Sequence, residues 1–446
     1  MCHALLPSWS NVVDVELTNI PGGITNELRV VVPLVTQNQD GSGSGDGKLK
    51  NPKPKQVVLR VFGKGTDSFL DRKTETAAVF ELNALGVGAV CLGVFGNGRV
   101  EEFLHNVRPL MHLEMASPEI AKRIARLVAR FHALRVEARA ENGKMENETT
   151  NTLGNNNSTP FPKNATPQPA RIWDVMRAWQ KAATAAATAA ATAAATAAAT
   201  AAATATSITI DGETKTSAQQ HDKQLDPLHL ASLAGDIDAL ERSCAAVNSP
   251  TVLCHNDLLP GNFLLRCDDD QSRVGKPSHP NQGVLDLAPE SSYQTKPRAN
   301  PDDLPEKPLL TLIDFEYSCY GPRGFDLANH FLEYAGFTGE WGLVPDAETR
   351  GRFFVEYLKA RAANGGANEG ADEGTDESVD SEHLKNEVST LSSEVNAFFP
   401  VSHLWWGLWA AMMTHSNDSA VGFDYASYAA VRLREFRKTR HEDKRR

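Results

Sequence analysis

A short polar segment between two apolar runs holds the residues best suited to chemistry. The apolar runs are 252–254 and 263–265, and the polar segment between them contains Asp257 and Asn262. Apolar runs of this length around a polar break predict strand, loop and strand. In phosphoryl transfer, such a loop uses the Asp to accept a proton from a hydroxyl group and an Asn five residues later to hold magnesium. The segment therefore predicts a kinase-type catalytic loop.

A magnesium site of this kind needs a second carboxylate on a later strand. Asp314 supplies one, because it ends the apolar run 309–313. The pattern His-x-Asp-x-x-x-x-Asn is weak by itself, since Asn-Asp and Pro-Gly pairs also mark ordinary turns. An isolated loop would leave a simple turn and a catalytic loop as open alternatives. The flanking strands and Asp314 together favour the kinase-like site.

The composition limits the classes of protein that this chain can represent. It has 446 residues, of which 41% are hydrophobic, and a formal net charge of -11. This length predicts two or three domains or lobes, and the charge argues against a general affinity for nucleic acid or anionic membrane. The six cysteines show no C-x-x-C spacing, so we expect free thiols in a reducing compartment.

Neither a secretory signal nor a membrane span is expected from the apolar segments. The N-terminal residues 4–7 are too short for a signal core and lack a basic flank. The longest apolar stretch, 398–413, is interrupted by Pro400 and predicts a buried helix. We therefore expect a cytoplasmic protein without a transmembrane segment.

The first strands of the chain are expected to meet at a glycine-containing turn. Residues 12–17 and 27–32 have strand character. The turn between them contains Gly22, Gly23, Thr25 and Asn26. Adjacent glycines let backbone amides approach a phosphate without a Cβ in the way. An ordinary hairpin is the alternative interpretation of this segment alone.

A cation is expected to project from the next strand towards the nucleotide. Arg60 lies in the apolar run 57–62, and Glu75 opens the helix that follows. A kinase needs a cation here to neutralise phosphates, paired with an acid on that helix. Arg keeps its charge permanently and offers a bidentate fork. The pattern predicts a direct Arg60–Glu75 pair, with a surface Arg at a strand edge as the alternative.

A second hairpin, 90–95 with 100–104, turns at 96–98. Glu102 and Phe103 at its end are placed to form the hinge that would meet adenine through the backbone.

Five polar or low-complexity segments interrupt the pattern and are expected to be solvated insertions. They are 37–55, 137–170, 182–226, 267–307 and 362–394. The third contains an Ala-Ala-Ala-Thr repeat. Alanine favours helix, but the repeat has no large apolar side chain with which to dock strongly. We expect a repeat expansion in a tolerant loop, without a role in catalysis.

Aromatic and acidic residues are concentrated in the last third of the chain. They include Tyr317, Asp326, Glu333, Trp406, Trp409 and Tyr428. Aromatic residues at helical spacing usually form core, and a cation cage is the alternative. Asp326 and Glu333 are seven residues apart, so they would share one helix face if a helix begins near Asp326. Their carboxylates would favour the cation cage.

The order of these motifs resembles the choline/ethanolamine kinase family, and most closely the ethanolamine kinases. The matching segments are 22–26, 59–63, 71–75, 252–259, 313–317, 325–333 and 406–409, with Phe423, Tyr425 and Tyr428. Their common order along nearly the whole chain is more specific than any single motif. The resemblance implies an α+β, protein-kinase-like two-lobed fold. Residues 1–104 would form a small β-rich nucleotide-binding lobe, and 105–446 a larger, mostly helical catalytic lobe.

The resemblance also implies transfer of the γ-phosphate of ATP, with Mg²⁺, to the hydroxyl of an amino alcohol. Asp257 would be the catalytic base, and Asn262 and Asp314 would hold the metal. The nucleotide would meet Gly22, Gly23, Thr25, Asn26, Arg60, Glu75, Glu102, Phe103 and Arg108. The ammonium end would meet Tyr317, Asp326, Glu333, Trp406, Trp409 and Tyr428. A homodimer is left open.

The resemblance favours ethanolamine as the acceptor, which would make phosphoethanolamine for the CDP-ethanolamine route to phosphatidylethanolamine. Leu259 is similar to the ethanolamine kinases, whereas related choline kinases tend to carry Gln there. A primary ammonium needs hydrogen-bond acceptors and a quaternary one needs aromatic faces, and both are present. A choline or dual-specificity kinase is therefore an alternative. A catalytically silent binding protein, or a kinase of antibiotics or sugar alcohols with a related loop, represents other classes.

Overall fold

The computed structural model describes the chain in twelve stretches. They are 2–6, 9–10, 12–20, 26–34, 55–63, 72–84, 86–134, 171–205, 227–267, 310–364, 377–414 and 423–443. The expected insertions at 37–55, 137–170 and 267–307 lie almost entirely outside these residues. Gly22, Gly23 and Thr25 also lie outside them.

The N-terminal lobe is built on an antiparallel five-stranded sheet with the order β1-β2-β3-β5-β4. Its strands are β1 (Asp14–Ile20), β2 (Asn26–Leu34), β3 (Val57–Phe62), β4 (Cys91–Phe95) and β5 (Gly98–Glu102). Valines of the three central strands, Val31, Val57 and Val100, share one small core with Trp9, which follows helix α1 (Cys2–Leu5). β-branched residues suit such a half-buried pleated surface.

Strands β3 and β5 approach each other closely at Gly98. A Cβ there would lie 2.2 Å from the carbonyl oxygen of Arg60, so only glycine fits. Helix α2 (Arg72–Ala84) crosses this lobe and carries Glu75, buried, in its first turn. The close strand pairing and α2 therefore bring Arg60 and Glu75 into the same region.

The C-terminal lobe is mostly helical. Its helices are α3 (Pro118–Ala133), α4 (Ile172–Ala205), α5 (Pro227–Ala245), α6 (Arg323–Leu332), α7 (Ala347–Asn364), α8 (Glu377–Met413) and α9 (Tyr425–Asp443). Helix α8 is central, since it packs against α4, α5, α6, α7 and α9. Its second half is the buried helix expected for 398–413, despite Pro400 inside it. Among the described helices, none is both long and apolar enough to cross a bilayer.

Two small sheets position the predicted catalytic loop. Strand β7 (Thr251–Cys254) pairs with β10 (Cys319–Pro322), and β8 (Phe263–Arg266) lies between β6 (Val107–Pro109) and β9 (Leu310–Leu312). The polar segment 255–262 therefore joins two different sheets. The pairing of β8 with β9 brings the residues that follow β9 back to the end of this loop.

The prediction that 182–226 and 362–394 are solvated insertions is wrong in part. The Ala/Thr repeat continues α4 as one helix, and its first alanines, Ala183 and Ala187, are buried against the core. From 191 to 197 every described side chain is exposed. The segment 377–394 belongs to α8, where Leu391 and Glu394 are buried. Alanine propensity and an apolar helical stripe explain the two results, respectively.

Candidate active site

A buried carboxylate, Asp326, holds the backbone of the catalytic loop. Its two oxygens accept hydrogen bonds from the backbone amides of His255 and Asn256, each at 2.8 Å. Nε2 of His132 donates to the same carboxylate at 2.9 Å. Burial opposes the charge of Asp326, but these donors and the neighbouring histidines keep its pKa below its usual value. Asp326 therefore fixes the path of the chain just before Asp257.

This position corrects the expectation that Asp326 contacts the ammonium end of a substrate. Asp326 is fully buried, and both of its oxygens are already used by the loop and His132. The prediction that Asp326 and Glu333 share one helix face is also wrong. Helix α6 ends at Leu332, and Glu333 begins the following 3-10 turn, Glu333–Ala335. The two carboxylates therefore have separate surroundings.

His132, Cys254 and Asp326 place three possible metal-ligating atoms within 4.8 Å of one another. Hydrogen bonds already use both ring nitrogens of His132, one with Asp326 and the other with the hydroxyl of Tyr357 at 2.9 Å. Burial lowers the pKa of His132, so its ring is neutral. The cluster is therefore part of the support beneath the loop.

Asn256 takes a left-handed backbone conformation with φ of 66°. This conformation is uncommon for a residue with a side chain, although Asn tolerates it better than most. Its side-chain amide donates to the carbonyl of Tyr317 at 2.8 Å, which ties the loop to the segment after Asp314. The conformation of Asn256 thus fixes the backbone immediately before Asp257.

His255 is held as a neutral ring with a defined tautomer. Its Nε2 donates to the carbonyl of Ile313 at 2.9 Å, and its Nδ1 accepts from the amide of Asp257 at 3.2 Å. Burial lowers the pKa of His255, which agrees with one donating and one accepting nitrogen. His255 thus links the catalytic loop to the strand that precedes Asp314.

Asp257 has the environment of a proton acceptor. Its Oδ2 accepts a hydrogen bond from Nδ2 of Asn262 at 2.9 Å, while its buried Oδ1 has no hydrogen-bond partner among the described residues. Burial raises the pKa of Asp257 well above its usual value, and the carboxylates of Glu333, Asp314 and Glu316 raise it further. A raised pKa strengthens a carboxylate as a general base.

Asn262 and Asp314 lie together and fit a Mg²⁺ site. The amide of Ile313 donates to the carbonyl of Asn262 at 3.0 Å, which places Asp314 next to it. Nδ2 of Asn262 is committed to Asp257, so Oδ1 remains as the donor to a cation. Asp314, with φ of 66°, adds a carboxylate that is partly exposed. Hard oxygen ligands of this kind are the ones that Mg²⁺ prefers.

Arg60 lies at the predicted nucleotide end of the site, but the expected direct pair with Glu75 is wrong. Arg60 donates to Glu101 at 3.2 Å and to Asp314 at 3.1 Å. Glu75 is instead held by Arg99 at 2.6 Å and by Arg72 at 2.8 Å. The physical reason is the strand register, in which Arg60 faces Arg99 across β3 and β5.

Arg99 and Glu101 were therefore missed as members of this charged network. Both are buried, and they stand two residues apart on the same face of β5. Arg and Glu alternating in a strand with valine between them are a sequence signal for a buried ion pair. Burial opposes the charge of Arg60, but its carboxylate neighbours, Glu101 first, raise its pKa, so it remains a cation.

The remaining nucleotide candidates are distributed around this network. Asn26, the described end of the glycine-containing turn, donates from Nδ2 to Glu316 at 2.9 Å, and Arg72 donates to the same carboxylate at 3.1 Å. Glu102 ends β5, and its amide donates to the carbonyl of Val90 at 2.8 Å. Phe103 follows and packs edge-on against His105. Glu316 had no predicted role, although it lies two residues after Asp314.

Arg108 forms a bidentate pair with Glu114, at 2.6 Å and 2.7 Å, on strand β6. The side chain is about one-third exposed. This contact neutralises Arg108 locally and separates it from the buried network around Arg60.

Aromatic residues of three segments pack against one another. Tyr317 packs edge-on against Trp406 with ring centroids 5.6 Å apart, and its hydroxyl accepts from Nε1 of Trp409 at 2.9 Å. Trp409 in turn contacts Phe423 at 6.4 Å, and Phe423 contacts Tyr428 at 5.5 Å. The residues that the sequence singled out thus form one continuous aromatic wall, which also includes Phe423.

Glu333 stands beside this wall as its acidic member. Burial raises the pKa of Glu333, and the guanidinium of Arg432, 3.7 Å away, acts in the opposite direction. Its buried Oε1 has no hydrogen-bond partner among the described residues. Glu333 also raises the pKa of Asp257, so the two carboxylates are close enough to interact. Arg432 was not singled out by the sequence.

Asn329 joins the catalytic loop to the aromatic wall. Its Nδ2 donates to the carbonyl of Asn256 at 2.6 Å, and its Oδ1 accepts from Nε1 of Trp406 at 2.6 Å. Oγ of Ser402 donates to the same Oδ1 at 2.8 Å. Leu259, the predicted specificity position, lies half-buried at the end of the loop. Asn329 therefore fixes the distance between the base and the wall.

The fold and this site define a protein-kinase-like phosphotransferase. The family described as "Choline/ethanolamine kinase" matches residues 17–437. The chain belongs to this family, and it is therefore a kinase of the choline and ethanolamine kinase group.

Relatives with both names are similar to the chain at nearly the same level. It is 26% identical to a probable ethanolamine kinase of Arabidopsis thaliana, over 98% of this chain and 83% of the relative. It is 25% identical to probable choline kinase 2 of the same plant, over 97% of this chain and 89% of the relative. A solved ethanolamine kinase of Plasmodium vivax has the same fold, with a TM-score of 0.57 at 23% identity, over 96% and 85% of the two chains.

Proposed function

We propose that the protein phosphorylates the hydroxyl of ethanolamine with ATP and Mg²⁺, giving phosphoethanolamine for phosphatidylethanolamine synthesis. The observation that carries this proposal is a pair of buried acceptor atoms. Oδ1 of Asp257 and Oε1 of Glu333 are buried without a hydrogen-bond partner in the described part of the chain. One acceptor suits the hydroxyl and the other the ammonium group of a small amino alcohol, and the charge of Glu333 acts on Asp257.

In the proposed reaction, Oδ1 of Asp257 accepts the proton of the substrate hydroxyl. The hydroxyl oxygen forms a bond to the γ-phosphorus, the bond from that phosphorus to the β–γ bridging oxygen breaks, and ADP leaves. Asn262 holds Oδ2 of Asp257, so the base faces the hydroxyl in a fixed orientation. Positioning of the two reactants supplies most of the catalysis in such a transfer.

Asp314 connects the proposed metal site to the cation proposed for the phosphates. Asn262 and Asp314 would hold Mg²⁺, which supplies charge neutralisation for the phosphates when bound. Arg60, in contact with Asp314, is the cation proposed to meet the phosphates. Glu75 lies behind it, held by Arg99. Glu102 and Phe103 are proposed to meet the base of the nucleotide from the end of β5.

The acidic side of the wall supports ethanolamine as the acceptor. A primary ammonium carries three N–H donors, and a quaternary ammonium carries none. Oε1 of Glu333 is a buried acceptor that only the former can satisfy with a hydrogen bond. Leu259, which is similar to the ethanolamine kinases at this position, points the same way.

Choline is the second candidate, and a specific observation favours it. Trp406, Trp409, Phe423 and Tyr428 form a continuous set of aromatic rings, and such rings bind quaternary ammonium groups. A catalytically silent binding protein is disfavoured by the intact arrangement of Asp257, Asn262 and Asp314.

The test is coupled measurement of ADP release by purified protein with Mg²⁺, ATP and either ethanolamine or choline. We expect a higher kcat/KM for ethanolamine, and no turnover by Asp257→Ala. Thermal melting of both proteins should coincide within a few degrees, which would separate a lost base from a lost fold. A preference for choline would overturn the ethanolamine assignment, and no turnover with either would favour the silent binding protein.

A further inference from the structure

A buried cation stands directly behind the proposed ammonium site. Arg432, on helix α9, is only 1% exposed. In the described part of the chain, its single carboxylate within ion-pair distance is that of Glu333, whose Oε1 lies 3.7 Å from the guanidinium. Burial of a cation is unfavourable unless it gains compensating interactions. The burial of Arg432 therefore has to be compensated by interactions with its neighbours.

Aromatic rings and one hydroxyl hold the guanidinium in place. It lies 5.6 Å from the ring centroids of both Trp341 and Tyr428, which is cation–π distance. One of its nitrogens donates to Oγ of Ser402 at 3.4 Å. These contacts fix the charge beside Glu333 and against Tyr428, one member of the aromatic wall.

The distance between Arg432 and Glu333 is informative. At 3.7 Å the two groups attract each other electrostatically, but the separation is too long for a hydrogen bond. Oε1 of Glu333 consequently stays without a hydrogen-bond donor among the described residues. Arg432 thus favours the ionised form of Glu333 while leaving its acceptor atom for another donor.

The other ionisable groups around Arg432 and Glu333 do not supply a positive charge that would offset the carboxylate of Glu333. Asp257 interacts with Glu333 as a like charge. Burial raises the pKa of Tyr428, so its phenol stays neutral. Behind Arg432, burial lowers the pKa of His403 well below its usual value, and Arg432 adds to this effect, so that ring is also neutral. Arg432 is therefore the cation that balances Glu333.

Hydrogen bonds also connect Arg432 to the catalytic loop. Arg432 donates to Ser402, Ser402 donates to Asn329 at 2.8 Å, and Asn329 donates to the carbonyl of Asn256 at 2.6 Å. Each member is buried. The charge on α9, the aromatic wall and the residue next to Asp257 are thus parts of one network.

We propose that Arg432 is a positioning residue for the amino-alcohol end of the site, which keeps Glu333 ionised and oriented for the substrate ammonium. This inference rests on the proposed function and adds to it the residue that sets amine affinity. Arg432 acts through Glu333 and touches no reacting atom. Its removal should therefore affect binding of the amino alcohol and the pH dependence of that binding, more than binding of ATP.

The experiment compares Arg432→Met and Arg432→Lys with wild type, and uses Arg434→Met on the exposed side of α9 as the matched control. We expect Arg432→Met to raise the KM for ethanolamine at least about tenfold, the size of a lost charge-assisted hydrogen bond, with the KM for ATP nearly unchanged. Without the cation the pKa of Glu333 rises further, so the acidic limb of kcat/KM for ethanolamine should move to higher pH by about one unit.

The control and the lysine variant make the result specific. Arg434→Met should match wild type in every parameter. Arg432→Lys keeps the charge, so its acidic limb should stay near that of wild type even if its KM rises modestly. If Arg432→Met does not fold, a limb displaced by about one unit in Arg432→Lys would overturn the proposal, and an unmoved limb would support it.

The failure of this inference is distinguishable from the failure of the proposed function. If wild type phosphorylates neither ethanolamine nor choline, both are overturned before any variant matters. If wild type phosphorylates ethanolamine and Arg432→Met leaves both the KM and the pH profile unchanged, only the role of Arg432 is overturned. In an Asn or Gln background at Glu333, Arg432→Met should cause no further rise in KM, because the two residues act together.

Discussion

The side-chain amide of Asn262 donates to two oxygens of Asp257, the backbone carbonyl at 2.8 Å and Oδ2 at 2.9 Å. Asn262 thus orients the proposed base and offers its own oxygen to the metal. Asn262→Ala removes both contributions. We therefore expect kcat to fall by about 10²-fold or more, and the Mg²⁺ concentration that gives half-maximal activity to rise. Steady-state kinetics over a Mg²⁺ titration measure both. Asn97→Ala, in the exposed turn between β4 and β5, is the control, and an active Asn262→Ala with a normal Mg²⁺ requirement would contradict the assignment.

Removing the charge of Asp326 should destabilise the catalytic lobe. In Asp326→Asn, one oxygen is replaced by an amide that cannot accept from the loop backbone, which leaves a buried donor unsatisfied. We expect the free energy of unfolding to fall by about 3 kcal/mol, as when one partner of a buried charged network is lost. Urea denaturation measures it. Asp346→Asn is the matched control, because this exposed side chain accepts from the amide of Thr349 and Asn caps a helix equally well. Equal losses in the two variants would count against the role given to Asp326.

His330 should make the stability of the lobe depend on pH. Burial lowers its pKa to about 4, whereas an unfolded His has a pKa of about 6.5. Below about 6.5 the unfolded chain binds a proton that the folded chain does not, so the contribution of His330 is lost as the pH falls from there towards 4.

The comparison of wild type with His330→Asn isolates this effect from the other titrating groups. The stability advantage of wild type should shrink by up to about 1.4 kcal/mol for each pH unit below about 6.5. Denaturation at several pH values measures it. A gap between wild type and His330→Asn that is constant with pH would sink this prediction.

The Ala/Thr repeat should matter only where it is buried. Deletion of 191–198, of which the described side chains 191–197 are exposed, is expected to leave kcat/KM unchanged and stability within about 0.5 kcal/mol. Ala183→Glu places an unpaired charge at a fully buried position and should cost about 3 kcal/mol or more. Calorimetric melting of the two variants tests the contrast. A strongly destabilised deletion would mean that the exposed part of α4 has a structural role.

The strand-loop-strand arrangement around the proposed catalytic loop could be predicted because it is local in sequence. The apolar runs fix β7, β8 and β9, and the polar residues between them carry Asp257, Asn262 and Asp314. Which residues form the aromatic wall could also be predicted in part, since Trp406 and Trp409 lie about one helical turn apart.

The role of Asp326 could not be predicted, because it depends on hydrogen bonds to a loop about seventy residues earlier in the chain. The prediction of an Arg60–Glu75 pair is wrong for a similar reason. The register of β3 and β5 sets Arg99 opposite Arg60, and Arg99 rather than Arg60 donates to Glu75. In 377–394 the acidic and polar composition concealed a real signal. Leu384, Val388, Leu391 and Val395 have helical spacing and pack towards the core.

The helical continuation of α4 through the repeat limits how the chain can change in length. From Ala190 to Ala205 the helix rises about 22 Å away from its docked end, and each further unit of four residues would add about 6 Å. The chain must then return to Pro227, where α5 begins. Residues 206–226 can span at most about 70 Å when fully extended. The length of the 206–226 connection therefore allows several more repeat units without moving the packed parts of α4 and α5. Each added unit of four residues would rotate the end of α4 by about 40° about the helix axis.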